Sequence, residues 1–124
     1  MINCDYYGSY TVFKKKECFF AMTGHVIYKN IDKLNTATHS KKVINHIRNI
    51  IGFKNIIISD DLSMKALSGD IISKVKKTYD AGCDVILYCQ GILDEMKKMY
   101  PFSRKIDVDN FKYFISRASS TFSC

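Results

Sequence analysis

Apolar residues in this chain fall into short runs, separated by segments in which they recur every third or fourth position. Residues 18–22 (CFFAM), 55–59 (NIIIS) and 83–89 (CDVILYC) make three such runs. Short β-branched or aromatic runs bounded by polar loops predict strands. Ile56, Ile57 and Ile58 in succession predict a strand buried on both faces, as in a parallel sheet. Between the runs, SKKVINHIRNII sets Val43, Ile44, Ile47, Ile50 and Ile51 on one helical stripe, with Ser40 as N-cap and Gly52 as a left-handed stop. A second helix is predicted over 70–81, with Ile71, Ile72, Val75 and Tyr79 inward and Gly82 ending it. A third, over 93–100, stops before Pro101. A last helix from about Val108 carries Phe111, Phe114, Ile115 and Ala118 on one side, ahead of the polar tail SSTFSC. Alternating strands and helices imply βαβ units around a parallel sheet, an α/β fold. Three strands leave two raw sheet edges, so the pattern reads as part of something larger.

Composition narrows the class. At 124 residues the chain is one domain at most, and 47% hydrophobic with 25% charged residues is ordinary for a soluble globular protein. No run of apolar residues is long enough to span a bilayer, and the N-terminal MINCDYYGSYTVFKKK lacks the order of a signal peptide. Five cysteines, with Cys83 and Cys89 inside a strand-like run and no CxxC, point to buried reduced thiols in a cytoplasmic protein, with no metal site and no cofactor. The net charge of +7 suggests nucleic acid at first. Yet Lys41, Lys42, Lys65, Lys74, Lys76, Lys77, Lys97 and Lys98 are scattered mainly over the polar faces of predicted helices, so a solvated surface accounts for them. Neither a nucleic acid nor a membrane is expected as a partner.

The candidate chemistry lies at the carboxyl ends of the strands, where open sheets and barrels keep it. The first strand leads to His25, the second to Asp60 and Asp61, and the third to Gln90. The aspartates have two readings: a cap for a helix whose stripe begins at Leu62 and Met64, or carboxylates that act on a substrate. His25 suits a substrate hydroxyl or the orientation of a carboxylate, or else it is a loop histidine bonded to backbone. Asp32 reads as the centre of an Asx-type turn and Asp84 as a structural residue opening the third strand. His39 and His46 read as a loop residue and a polar helix position.

Four segments, AMTGHVIYKNID, TATHS, GFKNIIISDDLSMKAL and AGCDVILYC, resemble in order and spacing the later part of glycoside hydrolase family 3 β-N-acetylglucosaminidases (β-N-acetylhexosaminidases). The resemblance covers about residues 12–96, leaving 101–124 as a C-terminal helix and tail. It implies a partial (β/α)8 TIM barrel, about the last three βα units, in a single incomplete domain over residues 1–124. The implied activity is retaining hydrolysis of terminal β-linked N-acetylglucosamine, in bacteria often from peptidoglycan fragments during cell-wall recycling. The first aspartate after Ser59 takes the nucleophile's place, which makes Asp60 catalytic. Asp61, His25, Met22 and Met64 are then substrate-binding or supporting residues. A retaining glycosidase needs an ionised carboxylate on a rigid strand end to form and release a glycosyl-enzyme ester, and the two aspartates can divide nucleophilic and supporting work.

The chain also departs from the family pattern. A proline expected after Met22 is Thr23, and a glycine expected after GF-x is Asn55. No segment resembles K-H-F-x-G-H-G, which carries the family's acid/base histidine. A whole barrel takes about 250 residues. The expected partners are therefore an N-acetylglucosamine-containing glycan and a separately encoded N-terminal half. Two other readings stay open: a non-catalytic truncated remnant, and an unrelated α/β binding module with Asp60 and Asp61 holding Mg²⁺.

Overall fold

The computed structural model describes residues 19–106 together with 108, 109, 111, 112, 115 and 116. The described residues from 108 to 116 are helical, while Cys18, Phe114 and Ala118 lie outside the described set. Three strands form one sheet in the order β1 (Phe20–Met22), β2 (Ile56–Asp61) and β3 (Val85–Leu87). Both pairings are parallel: Met22 lies opposite Ile58, and Ile58 opposite Val85. Helix α1 (Lys41–Asn45) joins β1 to β2, α2 (Ile71–Ala81) joins β2 to β3, and α3 (Leu93–Met99) follows β3. Two βα crossovers joining neighbouring parallel strands make an arc of a barrel-like sheet, as expected.

One side of the sheet packs under the helices. Ile57 of β2 meets Ile44 of α1 and Ala81 and Cys83 at the end of α2. A second cluster joins Leu62, Leu67, Val75, Tyr79 and Met99, with Ile86 and Tyr88 against it. The other side is more open: Phe20 is 54% and Met22 61% exposed, and Ile56 and Ile58 are half-buried. The isoleucine run is thus buried on one face rather than two, because helices among the described residues cover only that side.

Local capping largely follows the sequence. Ser40 Oγ accepts from the Val43 amide (3.2 Å), and Asp70 caps α2 by accepting from Ser73 (3.0 Å). Gly82 ends α2 at φ 112°, with Ile44 Cγ2 only 3.0 Å from where a Cβ would sit. Four details differ from expectation. The first helix turns π-helical over His46–Ile50, with Ile51 N–H donating to His46 C=O (3.0 Å); the extra residue in that turn rotates Ile50 outward, to 66% exposure. β3 ends at Leu87, which leaves Cys89 exposed rather than buried. No helix starts at Leu62: residues 62–70 form turns, so neither Asp60 nor Asp61 is a helix cap. Lys74 is buried instead of solvated, because it shares the inward stripe of α2 with Val75, Thr78 and Tyr79.

Candidate active site

Strand β2 is the axis of the site. Its burial alternates from Ile56 to Asp60, with Ile57 and Ser59 buried, and the alternation breaks at Asp61. Four residues of β2, from Ile58 to Asp61, span the same register as three of β3, from Val85 to Leu87. This irregularity falls on the two aspartates, and bulges of this kind re-aim side chains beside active sites. Ser59 Oγ, fully buried, accepts from the Leu87 amide (3.0 Å) and stitches the irregular stretch to β3.

Asp61 is the point on which all three strand ends converge. Its carbonyl accepts from His25 Nε2 (2.8 Å), which follows β1. Its Oδ1 accepts from the Cys89 amide (3.0 Å), which follows β3, and from the Ser63 amide (3.0 Å). Its Oδ2 accepts from the Ser63 hydroxyl. Burial alone raises the pKa of this carboxyl, but the two Ser63 bonds, the Cys89 amide and the His25 charge outweigh it and hold it below the usual carboxylate value. Asp60 is engaged differently. Its Oδ1 accepts from the Asp61 amide (2.8 Å), and among the described residues no hydrogen bond reaches Oδ2. One carboxylate is therefore tied down by its neighbours, while the other keeps an oxygen available.

His25, itself half-buried, joins a polar chain through the buried Thr38 and Thr23. Its Nδ1 lies 2.9 Å from Thr38 Oγ1, and Thr38 Oγ1 lies 2.9 Å from Thr23 Oγ1. Met22, last in β1, and Met64, in the turn after β2, are both exposed at this end, as is Gln90. Asp32 centres its loop as expected, accepting from the amides of Leu34 (3.0 Å) and Asn35 (3.2 Å) and from the Ser40 hydroxyl (2.6 Å). The Ser40 bond is the main reason that its carboxyl is strongly acidic. Asp84 is structural, pairing with Arg48 and accepting from the Ile57 amide (2.8 Å).

Sequence reasoning named Thr23 only as a departure from the family pattern and Lys74 only as a solvated lysine, and it did not single out Thr38 or Ser63. Ser63 had a legible signal, since a serine two residues after an aspartate favours an Asx-type turn. Lys74 had none: its ammonium donates to the carbonyls of Leu62 (3.1 Å) and Met64 (3.5 Å), beneath the turn that follows the aspartates. A separate cleft of about 290 Å³ runs along β3, lined by Tyr79, Tyr88, Met96, Tyr100 and Arg104 among others; His25, Asp60, Asp61 and Gln90 do not line it.

Residues 11–109 match the glycosyl hydrolase family 3 N-terminal domain. The chain belongs to that family. It is 41% identical over 70 residues to a beta-hexosaminidase of Shewanella frigidimarina, covering 55% of this chain and 20% of the relative. With a beta-hexosaminidase of Psychromonas ingrahamii the identity is 36% over 92 residues, covering 68% of this chain and 27% of the relative. Among solved structures, native NagZ from Neisseria gonorrhoeae superimposes with a TM-score of 0.67 at 26% identity, over 83% of this chain and 30% of that one. The chain thus spans a quarter or so of the length of the family members it matches, and the three-stranded parallel arc is a partial family 3 barrel.

Proposed function

We propose that this chain forms the nucleophile-bearing wall of a retaining β-N-acetylhexosaminidase. Asp60 attacks the anomeric carbon of a terminal β-linked N-acetylglucosamine unit, the aglycone departs with a proton, and water then releases the sugar from the Asp60 ester. The observation that carries this reading is the unequal engagement of the two carboxylates. Both oxygens of Asp61 accept hydrogen bonds, Oδ2 from the turn and Oδ1 from the turn and from Cys89 after β3, whereas Oδ2 of Asp60 has no such partner among the described residues. A carboxylate held by three hydrogen bonds is a poor nucleophile and a good brace. The same engagement disfavours the Mg²⁺ reading, because Asp61 has little lone-pair capacity left for a cation.

Leaving-group protonation, typically worth 10²–10⁴-fold, falls to a group outside residues 19–106. Further barrel strands cover the open face that carries Phe20, Met22, Ile56 and Ile58. Met22, Met64 and His25 border the sugar on this wall. The substrates are peptidoglycan fragments, and the setting is cytoplasmic cell-wall recycling.

The test is reconstitution with an N-terminal family 3 half and a fluoro-glycoside that traps the ester, read by mass spectrometry. Label is expected on Asp60. Asp60→Asn is expected to abolish turnover, while Asp61→Asn weakens it. Label on Asp61, or full activity in Asp60→Asn, refutes the assignment. No turnover after reconstitution points instead to a non-catalytic remnant.

A further inference from the structure

The carbonyl of Asp61 can only accept a hydrogen bond, so the His25 nitrogen 2.8 Å away must carry the proton. In the neutral imidazole that leaves Nδ1 as an acceptor, and the group facing it at 2.9 Å is the hydroxyl of Thr38. Thr38 has one proton to give. It can reach Nδ1 at 2.9 Å or the Gly24 carbonyl at 3.3 Å, and the shorter contact to the ring is the better bond. With that proton directed at His25, the Thr23 hydroxyl, 2.9 Å away, donates to the Thr38 oxygen. Every polar atom in the series is then satisfied in one arrangement, with the protons running from Thr23 through Thr38 and His25 to the Asp61 carbonyl.

Thr38 is well placed for such a role. It is fully buried in the turn Ala37–His39. That turn is pinned to the loop after β1 by the Ala37 amide on the Val26 carbonyl (2.8 Å). Burial makes an unsatisfied hydroxyl costly, so the network strongly favours the state in which all its members are paired.

We propose that Thr38 is a positioning residue: it holds the ring of His25, in the tautomer that the Asp61 carbonyl demands, and through that ring it fixes the carbonyl of Asp61 and the strand end that carries Asp60. The proposal rests on the catalytic reading of Asp60 only for its consequence in catalysis, since the hydrogen-bond order is a property of the chain itself. It extends the site by one residue beyond those that can touch a sugar, and it gives the TATHS segment a task.

The experiment is long-range ¹H–¹⁵N correlation of the histidine rings in the full 124-residue chain, at about pH 8, where histidine is ordinarily neutral. Amide exchange at Met64, whose N–H also donates to the Asp61 carbonyl (3.2 Å), is followed in parallel. Wild type is expected to show His25 as a single Nε2–H tautomer. Thr38→Val, which keeps the shape and removes the hydroxyl, is expected to keep that tautomer, to shift the Nδ1 resonance as its hydrogen bond is lost, and to make exchange at Met64 about tenfold faster, the scale of one neutral hydrogen bond. Thr38→Ser should restore the wild-type pattern, and Thr23→Val should keep the wild-type Nδ1 shift because the Thr38 bond to the ring survives. An Nδ1–H tautomer in wild type overturns the proposal even if Thr38→Val fails to fold. So does a Thr38→Val protein with unchanged Nδ1 shift and exchange. Neither readout involves turnover, so a failure of the catalytic reading of Asp60 would leave these results standing, and the reverse.

Discussion

Replacing Lys74 by methionine separates two effects that the buried ammonium combines. The side chain is 9% exposed, so its charge has lost most of its water, a cost of several kcal/mol even after relaxation, on the order of that for other buried ions. In return the ammonium donates to the Leu62 carbonyl at 3.1 Å and, at the outer limit of a useful bond, to the Met64 carbonyl at 3.5 Å. One good charge-assisted bond contributes about 1.5–3 kcal/mol. Methionine preserves the apolar stem and its packing, relieves the desolvation and forfeits the bonds. The opposing terms are similar in size, so global stability should stay within about 2 kcal/mol of wild type, or roughly 10 °C in melting temperature. The local consequence has no such offset. The turn over 62–67 loses its anchor, and about 1.5 kcal/mol of local stability is just over tenfold in opening. Native-state hydrogen exchange at Met64 and Leu67, whose amides donate within this turn to Asp61 (3.2 Å) and Met64 (3.4 Å), measures it directly. Exchange unchanged at both amides refutes the anchoring argument. Global destabilisation well beyond about 4 kcal/mol would show that the ammonium is a net support for the whole fold, and would refute the balance of terms.

Ile57→Ala should destabilise the chain by about 2–5 kcal/mol, because Ile57 is fully buried in the central strand between Ile44, Ala81 and Cys83; urea unfolding tests this, and a loss below about 1 kcal/mol would mean that the sheet is not packed as described. Burial first, then the charges of Lys77, His25 and Lys74, holds the His39 pKa down to about 4. Between that value and the unfolded value of about 6.5, the unfolded chain binds a proton that the folded chain does not. Stability should therefore fall as pH drops through this window, by at most about 3 kcal/mol, and His39→Gln should flatten the fall in a pH series of melting curves; an unchanged slope in the variant refutes it. The lowered carboxyls of Asp32 and Asp61 also lose stability as pH falls, but mainly below about pH 4.

Much of the framework was legible in the sequence because it depends on local periodicity and on residues near in the chain. The three apolar runs became three parallel strands in sequence order, and the Ser40 cap, the Gly82 stop and the Asp32 turn each use partners within eight residues. The motif spacing around SDDLSM and AGCD was enough to indicate the family, and the position of Asp60 and Asp61 at a strand end followed from the run of isoleucines before them. The family resemblance assigned separate roles to the two aspartates, but the sequence did not show how differently their carboxylates are hydrogen-bonded. Adjacent carboxylates look alike in one dimension; Ser63 engages Asp61 locally, but His25, 36 residues away in the chain, closes on its carbonyl and Cys89, 28 residues away, on its carboxylate. Periodicity likewise failed for Lys74, whose charge suggests water while its place on α2 puts it over the carbonyls of a turn 10 and 12 residues earlier. Hydrogen bonds of this kind are decided by which strand ends meet, and that is a property of the assembled sheet. Hydrophobic patterning is set residue by residue, whereas the pairing of buried polar groups is set only when distant segments exclude water together.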